Sequence, residues 1–385
     1  MCEGLLCAAR TQELFMKVIL LIDHLGAGGA QRQLAGLACM LKERGVDVSV
    51  FTYYPIMFYE EILRQHHVPC DVIEEAGNHR RRFFCLRKKL LAAQPDWVVA
   101  YLDTPCIMAS LIRWAGGKFR LIVSERNTTQ LLTRRERLKF WLYRKADFIV
   151  PNSYSQGNFV CKHFPQYKAK TVVIPNFVDL DKFVCTTERH RRQPAVMLVV
   201  ASIWASKNTK GFIDAVRLLR QRRDDFVVKW FGLNPNTPVL QNRVYMEECQ
   251  RKVKEYGLED TVFLYPKTKQ IAEEYRKADY FCLPSFYEGT PNVLCEAMAS
   301  SLPVICSRVC DNPQYVSEGE NGFLFDPHNV QDMAAKLNAA LQLNEVQHAS
   351  YGRRSRAIAE EKMSEQVFTD RYMSLLREPR DGQTE

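Results

Sequence analysis

The chain has 385 residues, 46% of them hydrophobic and 25% charged, and a formal net charge of +9. This length is too great for one ordinary hydrophobic core and predicts two domains, while the composition excludes a disordered or fibrous protein. No apolar run approaches the roughly 20 residues that span a bilayer, and residues 1–15 lack the pattern of a signal peptide. We therefore expect those first residues to be a disordered extension.

The 13 cysteines are odd in number and scattered through apolar segments. This distribution is typical of reduced thiols in the cytoplasm and not of a disulfide framework, so we expect a cytoplasmic protein. No CxxC pair occurs, which argues against a zinc site.

The positive charge is unevenly placed. Residues 1–187 contain 26 Lys and Arg against 17 Asp and Glu, whereas residues 188–385 contain 27 of each. The excess lies mainly in His79–Leu90 and Arg134–Lys145, where bulky apolar residues stand among the bases. Such helices either lie on an anionic membrane surface or are solvated faces packed on a sheet. Because no recognition motif accompanies the charge, we expect no nucleic acid partner.

The first half begins with a β-α-β unit. The apolar run Lys17–Asp23 predicts a buried parallel strand, and a glycine-rich turn and an amphipathic helix follow it. The turn lacks the third glycine of a dinucleotide fingerprint, and the next strand ends without an acidic residue. Gly28 and Gly29 therefore predict either a close approach of the backbone to a ligand or simply a tight turn.

Polar residues follow another predicted strand of this half. We expect further strands at residues 71–73, 97–101, 121–124, 148–150 and 171–174. Ser124, Glu125, Arg126 and Asn127 lie at the carboxyl end of the strand expected at residues 121–124, at the edge where open α/β sheets bind ligands. Glu125 and Arg126 are thus candidates for residues that line a ligand-binding cleft. The alternative is that they form an ion pair at the protein surface.

The segment around Thr187 breaks the alternation of strands and helices, and we place the domain boundary there. Asp179 and Asp181 form a DxD sequence at its start. Since this sequence does not follow a strand, we interpret it as turn and cap chemistry and not as a metal site.

The second half resumes with strands expected at residues 196–202, 226–231 and 262–265. Lys207 lies between the first of these and the next helix, where its ammonium group could meet a diphosphate. The alternative is an ordinary solvated lysine.

The stretch Ser285–Ser307 predicts a loop, a helix and a strand. Pro291 suits the first turn of a helix, so Glu288 precedes the helix and Glu296 lies inside it. The first-turn amides and the positive end of the helix dipole favour a phosphate or another anion.

These features together resemble the family 4 glycosyltransferases of the GT-B fold. The residues from Glu288 to Glu296, EGTPNVLCE, match that family's E-x7-E signature in full, and GGAQRQL, PNS, IPNFVD and ENGFLF occur in the family's order. The resemblance covers nearly the whole chain and implies an α/β protein of two Rossmann-like, doubly wound domains that face a cleft. We assign residues 16–187 to an acceptor-side domain and 188–363 to a nucleotide-sugar domain. Residues 364–385 would form a helix returning to the first domain, and a disordered tail.

The resemblance further implies a retaining hexosyltransferase that moves a sugar from a nucleotide sugar, with no metal or other cofactor. Glu288 would contact hydroxyl groups of the donor sugar, and Glu296 would contact the ribose hydroxyls. The diphosphate would be held by Lys207 and by the backbone around Gly289, Thr290, Pro291, Asn292 and Val293. Gly28 and Gly29 would reach the same phosphates or the acceptor. Lysine and a helix N-terminus can stabilise a leaving diphosphate as preorganised donors.

The chain departs from the family at one phosphate contact. An Arg commonly stands five residues before the phosphate Lys, and Ser202 occupies that position here. Arg126 or Lys210 could supply the missing charge.

The SERN segment and Asp311-Asn312 resemble the subset that builds bacterial surface polysaccharides. That subset uses UDP-activated sugars and glycan or polyprenyl-linked acceptors, which would place the protein at the cytoplasmic face of the inner membrane. Two alternatives remain open, namely a catalytically silent GT-B subunit that binds a nucleotide sugar or partner, and a phosphorylase or hydrolase on the same scaffold.

Overall fold

The computed structural model describes residues 16–73, 78–184 and 192–379. The expected extension 1–15, the boundary at Thr187 and the last six residues of the expected tail lie outside the described residues. The described residues of Met1–Pro175 and Phe368–Glu385 form one compact unit, and those of Asn176–Val367 form a second.

The first unit is a parallel sheet covered by helices. Its strands are β1 Lys17–Leu21, β2 Asp47–Thr52, β3 Cys70–Val72, β4 Trp97–Tyr101, β5 Arg120–Glu125 and β6 Phe148–Pro151. Its helices are α1 Gly29–Glu43, α2 Glu60–Gln65, α3 His79–Ala93, α4 Asp103–Trp114, α5 Arg134–Leu142 and α6 Tyr154–His163. The six strands are ordered β3-β2-β1-β4-β5-β6, and the near-continuous apolar runs of β1 and β4 are buried on both faces.

The second unit repeats this architecture. Its strands are β7 Ala195–Val200, β8 Phe226–Leu233, β9 Val262–Pro266, β10 Tyr280–Leu283, β11 Val304–Ser307 and β12 Gly322–Phe325. Its helices are α7 Thr209–Arg220, α8 Leu240–Glu255, α9 Ile271–Lys277, α10 Asn292–Ala299, α11 Asn312–Tyr315, α12 Val330–Leu341 and α13 Glu345–Met363. The order β12-β11-β10-β7-β8-β9 is the first unit's order read from the other edge.

The last helix, α14 Glu365–Arg377, packs on the first unit from Phe368 onward. The hydroxyl of Tyr372 lies 2.8 Å from that of Tyr101 at the end of β4. The indole N–H of Trp97 donates to the carbonyl of Leu376 at 2.9 Å. These buried contacts fix the helix against the sheet. Among the described helices, none is long and apolar enough to cross a bilayer.

Two predictions about the first sheet are wrong. Residues 171–174 are not one of the strands of the sheet and form an isolated bridge from Thr171 to Ile149, although the N–H groups of Val172 and Ile174 donate to the carbonyls of Ile149 and Pro151 at 3.0 Å. Glu125 is the last residue of β5 and does not follow the strand, whereas Ser124 lies within it as the range 121–124 predicted. The prediction for Asp179 is confirmed, since its carboxylate accepts the N–H of Lys182 at 2.8 Å in a turn.

Candidate functional site

Both sheets reverse their strand order at one place, between β1 and β4 in the first unit and between β7 and β10 in the second. In open α/β sheets, ligands bind beyond the carboxyl ends of the strands at this switch point. Lys207 follows β7 in a 3₁₀ turn, Ala205–Lys207, and Glu288 follows β10. The fold thus brings together the two candidate catalytic residues.

Lys207 and Glu288 form an ion pair in which the Nζ and Oε1 atoms are 2.6 Å apart. The side chains are 24% and 11% exposed, so the pair is largely shielded but reachable from solvent. The hydroxyl of Ser285 donates to the same Oε1 atom at 2.6 Å. The two loops are joined by the backbone N–H of Phe286, which donates to the carbonyl of Ser206 at 2.9 Å. Both charged groups are therefore held in place before any ligand arrives.

The N-terminus of α10 lies directly after Glu288 in the chain, as predicted. Pro291 is its N-cap residue, and Gly289 and Thr290 form the turn that leads into it. The side-chain amide of Asn176 donates to the Thr290 carbonyl at 2.7 Å and to Asn292 Oδ1 at 2.8 Å. Asn176 belongs to the IPNFVD segment, so this segment fixes the first turn of the helix.

Glu296 lies in the second turn of α10 and is only 3% exposed. The hydroxyl of Tyr275 donates to its Oε2 atom at 2.9 Å and lies 3.1 Å from the carbonyl of Val293. Tyr275 therefore orients the carboxylate and ties α9 to the first turn of α10.

Ser202 is half-buried in the loop after β7. The adjacent Ala201 carbonyl accepts the indole N–H of Trp230 at 2.7 Å. A Cβ atom on Gly232 would meet the same carbonyl oxygen at 1.9 Å, at a backbone φ of +153°. The loop is thus packed closely on β8. Lys210 forms an ion pair with Glu248 on α8, so its charge is already engaged there.

In the first unit, the glycine-rich turn after β1 is tight. The N–H of Gly28 donates to the carbonyl of Gly26 at 2.7 Å, and α1 begins at Gly29. A Cβ atom on Gly28 would lie 2.0 Å from the side-chain oxygen of Gln31. The tight-turn interpretation is therefore confirmed, and contact with a ligand remains a prediction.

Glu125 is 2% exposed, so the alternative of a surface ion pair is wrong. Its carboxylate lies 2.9 Å from the Lys139 ammonium and accepts the Tyr143 hydroxyl at 2.9 Å. Lys139 also contacts Asp103 at 3.2 Å and Glu136 at 2.8 Å. Burial raises the pKa of Glu125, which the Lys139 charge opposes. The guanidinium of Arg126 lies 4.6 Å from the ring centre of Tyr101, in the same unit.

Several of these partners were not predicted. Tyr275, Lys139 and Tyr143 carry no motif of their own, and the chain distances give no sign of their contacts. Ser285 opens the predicted stretch three residues before Glu288, but its hydrogen bond to that carboxylate was not predicted. Asn176 is the exception, because it lies in a segment that the resemblance includes. Among the described residues, no group of three or more His, Cys, Asp or Glu side chains is placed to hold a metal ion.

Two family models match the chain, one for each half. The model described as Glycosyltransferase Family 4 matches residues 27–182, and that described as Glycosyl transferases group 1 matches residues 187–357. Together the two models span most of the chain, including every candidate residue discussed above.

Characterised relatives match across both halves. The N-acetylgalactosamine-N,N'-diacetylbacillosaminyl-diphospho-undecaprenol 4-alpha-N-acetylgalactosaminyltransferase of Campylobacter jejuni is 25% identical over 86% of this chain and 92% of its own length. A second transferase of that organism, which adds N-acetylgalactosamine to a GalNAc-GalNAc-diNAcBac-PP-undecaprenol, is 24% identical over 85% of this chain and 89% of its own.

A solved structure supports the fold. HepE of Anabaena in complex with UDP-glucose superposes with a TM-score of 0.80 and 18% identity, covering 94% of this chain and 99% of HepE. The two α/β units are those of the GT-B fold.

Proposed function

We propose that this chain, which belongs to the group 1 and family 4 glycosyltransferases, moves a sugar from a UDP-linked donor to a lipid-linked glycan with retention of configuration. That it is a glycosyltransferase follows from its two matching domains. The donor, the acceptor and the stereochemistry are the proposed part. We further propose that the product belongs to a bacterial surface polysaccharide.

The observation that carries the proposal is the Lys207–Glu288 pair at the switch point of the second unit. Transfer breaks the bond between the sugar and a diphosphate, and negative charge builds up on the leaving group. The Lys207 ammonium and the positive end of α10 would stabilise that charge. No metal ion is needed for this step, because the fixed cation and the helix end supply the positive potential.

The two glutamates would divide the donor between them. Carboxylates accept paired hydrogen bonds from neighbouring hydroxyl groups, and the donor has such hydroxyls on its sugar and on its ribose. Glu288, beside Lys207, would hold the sugar, and Glu296, held by Tyr275 deeper in α10, would hold the ribose. The backbone from Gly289 to Val293 would bind the diphosphate, with Ser202 opposite in the loop after β7.

The donor and acceptor classes rest on the relatives. HepE was crystallised with UDP-glucose, and both Campylobacter enzymes are named for undecaprenol-linked substrates. We assign acceptor binding to the first unit, through the Gly28-Gly29 turn and the region of Glu125 and Arg126. The silent-subunit alternative is not favoured, since Lys207, Glu288 and Glu296 are all present.

A nucleotide sugar panel tests the proposal. The purified protein is incubated with UDP- and GDP-linked sugars, with and without a polyprenyl diphosphate-linked acceptor, and the release of nucleotide diphosphate is measured. We expect turnover with a UDP sugar and an α-linked product by NMR. Glu296→Gln should weaken UDP binding, whereas Glu255→Gln, an exposed change in α8 of the same unit, should not. If no nucleotide sugar is consumed or bound, and Glu296→Gln behaves as wild type, the proposal is wrong.

A further inference from the structure

The first unit exposes large apolar side chains on three helices. Phe84 of α3 is 67% exposed, Leu138 of α5 is 60% exposed and Trp141 of α5 is 51% exposed. Leu111 and Trp114 of α4 are also exposed, one helical turn apart. We call these five residues the aromatic face. Side chains of this size usually lie in the core or mark a site of interaction when they cluster at the surface.

The members of the aromatic face are connected across the helices. The indole rings of Trp114 and Trp141 are stacked, with centres 5.1 Å apart and planes 14° from parallel. The indole N–H of Trp114 donates to the carbonyl of Leu142 at 3.1 Å. This pair fixes α4 against α5, and its outer ring surface remains open to solvent.

A cavity of about 490 Å³ continues the face between α3 and α4. Its apolar lining comes from Phe83, Phe84, Ile107, Met108 and Leu111, and His79, Arg80 and Thr104 complete it. Phe84 and Leu111 thus belong to both the aromatic face and the cavity wall. The volume lies in the range of pockets that hold small organic ligands.

Basic side chains surround the aromatic face. The exposed bases on α3, α5 and the 3₁₀ turn after α5 are Arg80, Arg81, Lys88, Arg134, Arg135, Arg137, Arg144 and Lys145. Within residues 79–93 and 134–145 the only acidic residue is Glu136, and it is ion-paired with Lys139 at 2.8 Å. The Lys145 ammonium lies 5.2 Å from the ring centre of Trp114, so a base and an aromatic ring already adjoin.

We propose that the aromatic face and its bases dock on the surface of an anionic phospholipid bilayer, with the α3–α4 cavity taking one hydrocarbon chain. Tryptophan rings favour the boundary between headgroups and acyl chains, and Lys and Arg are attracted by anionic lipids. An anionic bilayer satisfies the apolar side chains, the positive charge and the apolar cavity together. This inference goes beyond sugar transfer and does not depend on it. It gives the enzyme a place at the surface where a lipid-linked acceptor is found.

Vesicle flotation tests the proposal directly. Full-length protein is floated with vesicles of phosphatidylcholine alone and of an equimolar mixture with phosphatidylglycerol. We expect binding to the mixed vesicles only, weakened by added salt. The combined change of Arg134, Arg135 and Arg137 to Glu should weaken it about a hundredfold or more. The combined change of Leu138 and Trp141 to Ser should weaken it while leaving the charge intact.

Matched changes on α8 of the second unit serve as controls. Arg243, Arg251 and Lys254 changed to Glu match the charge reversal, and Leu240 and Val244 changed to Ser match the apolar change. Neither control should alter flotation. Every variant is checked for folding by thermal unfolding and for UDP binding, which stays unchanged if only docking is lost.

Three results would overturn the proposal. One is equal binding to neutral and anionic vesicles, and another is flotation that the changes on α5 leave intact. The third is that the protein binds no vesicles but self-associates in a concentration-dependent way that the Leu138 and Trp141 change abolishes. The aromatic face would then join two copies of the chain.

Tryptophan fluorescence adds a local readout. Bound Trp114 and Trp141 should be quenched by brominated lipids, and the cavity assignment fails if Ile107→Trp, which fills the cavity, binds as tightly as wild type.

Discussion

The ion pair between Lys207 and Glu288 gives a prediction in which two variants move one affinity in opposite directions. In the structure the Lys207 ammonium lies 2.6 Å from Glu288, and in the proposed function the same ammonium binds the donor diphosphate. Glu288 and the diphosphate therefore compete for one cation. Glu288→Gln removes the competing charge and keeps a side-chain oxygen for the Ser285 hydroxyl. Lys207→Met removes the cation.

The magnitude follows from the environment of the pair. Both side chains are less than a quarter exposed, and a hydrogen bond between charged groups contributes about 1.5–3 kcal/mol net. Releasing Lys207 from Glu288 should thus tighten the binding of UDP about tenfold, since about 1.4 kcal/mol corresponds to tenfold. Lys207→Met should weaken it by at least as much. Turnover of a UDP sugar should fall in both variants by about 10²–10³-fold, because each loses a preorganised contact to the reacting group.

Isothermal titration with UDP measures the affinities, and nucleotide release from the UDP sugar measures turnover. The double variant should bind UDP like Lys207→Met alone, because Glu288 has no cation left to compete for. Glu255→Gln, an exposed change on α8, is the control for charge alone. If Glu288→Gln weakens UDP binding to the extent that Lys207→Met does, the two groups do not compete and the assignment of Lys207 to the diphosphate is refuted.

Four further predictions concern the packing at Gly232, the buried charges of Glu125 and Lys139, and the need for a metal ion. Gly232→Ala should destabilise the protein by about 3 kcal/mol or more, because its Cβ atom would overlap the Ala201 carbonyl. The control Gly257→Ala, at a residue with φ +61° and open space around it, should cost only about 1–2 kcal/mol. Urea unfolding measures the free energy of unfolding of both variants, and equal losses would contradict the close packing at Gly232. Lys139→Met should cost about 3–5 kcal/mol, since it leaves buried carboxylates without their cation, whereas Glu125→Gln should cost much less. Because burial raises the pKa of Glu125, wild type should lose stability relative to Glu125→Gln as the pH rises above the ordinary pKa of a carboxyl group. Finally, EDTA should leave turnover of the UDP sugar unchanged, and a loss restored by Mg²⁺ would show that a metal ion takes part.

Local patterns in the sequence predicted most of the elements but fewer of the contacts. The apolar run of β1, the helix start at Pro291 and the position of Lys207 after β7 were all predictable, because each depends on neighbouring residues in the chain. The burial of Glu125 was not predictable from the sequence, because the end of a strand can be exposed in one protein and covered by other elements in another. Here Lys139, 14 residues later, covers it. Residues 171–174 were predicted as a strand but meet β6 only through the bridge at Thr171 and two backbone hydrogen bonds, an extent of pairing that the apolar pattern of the segment does not reveal.

The adjacency of Lys207 and Glu288 depends on strand order. They are 81 residues apart and meet because β10 lies beside β7, where the order of the sheet reverses. The first unit has the same order, so the residues after β1 and β4 occupy the equivalent place. Leu102, directly after β4, has a φ of +73°, a strained conformation for a residue other than glycine. The Gly28 turn and Leu102 therefore stand at the carboxyl edge of the first sheet in the places that Lys207 and Glu288 occupy in the second, which makes that edge the predicted ligand side of the first unit.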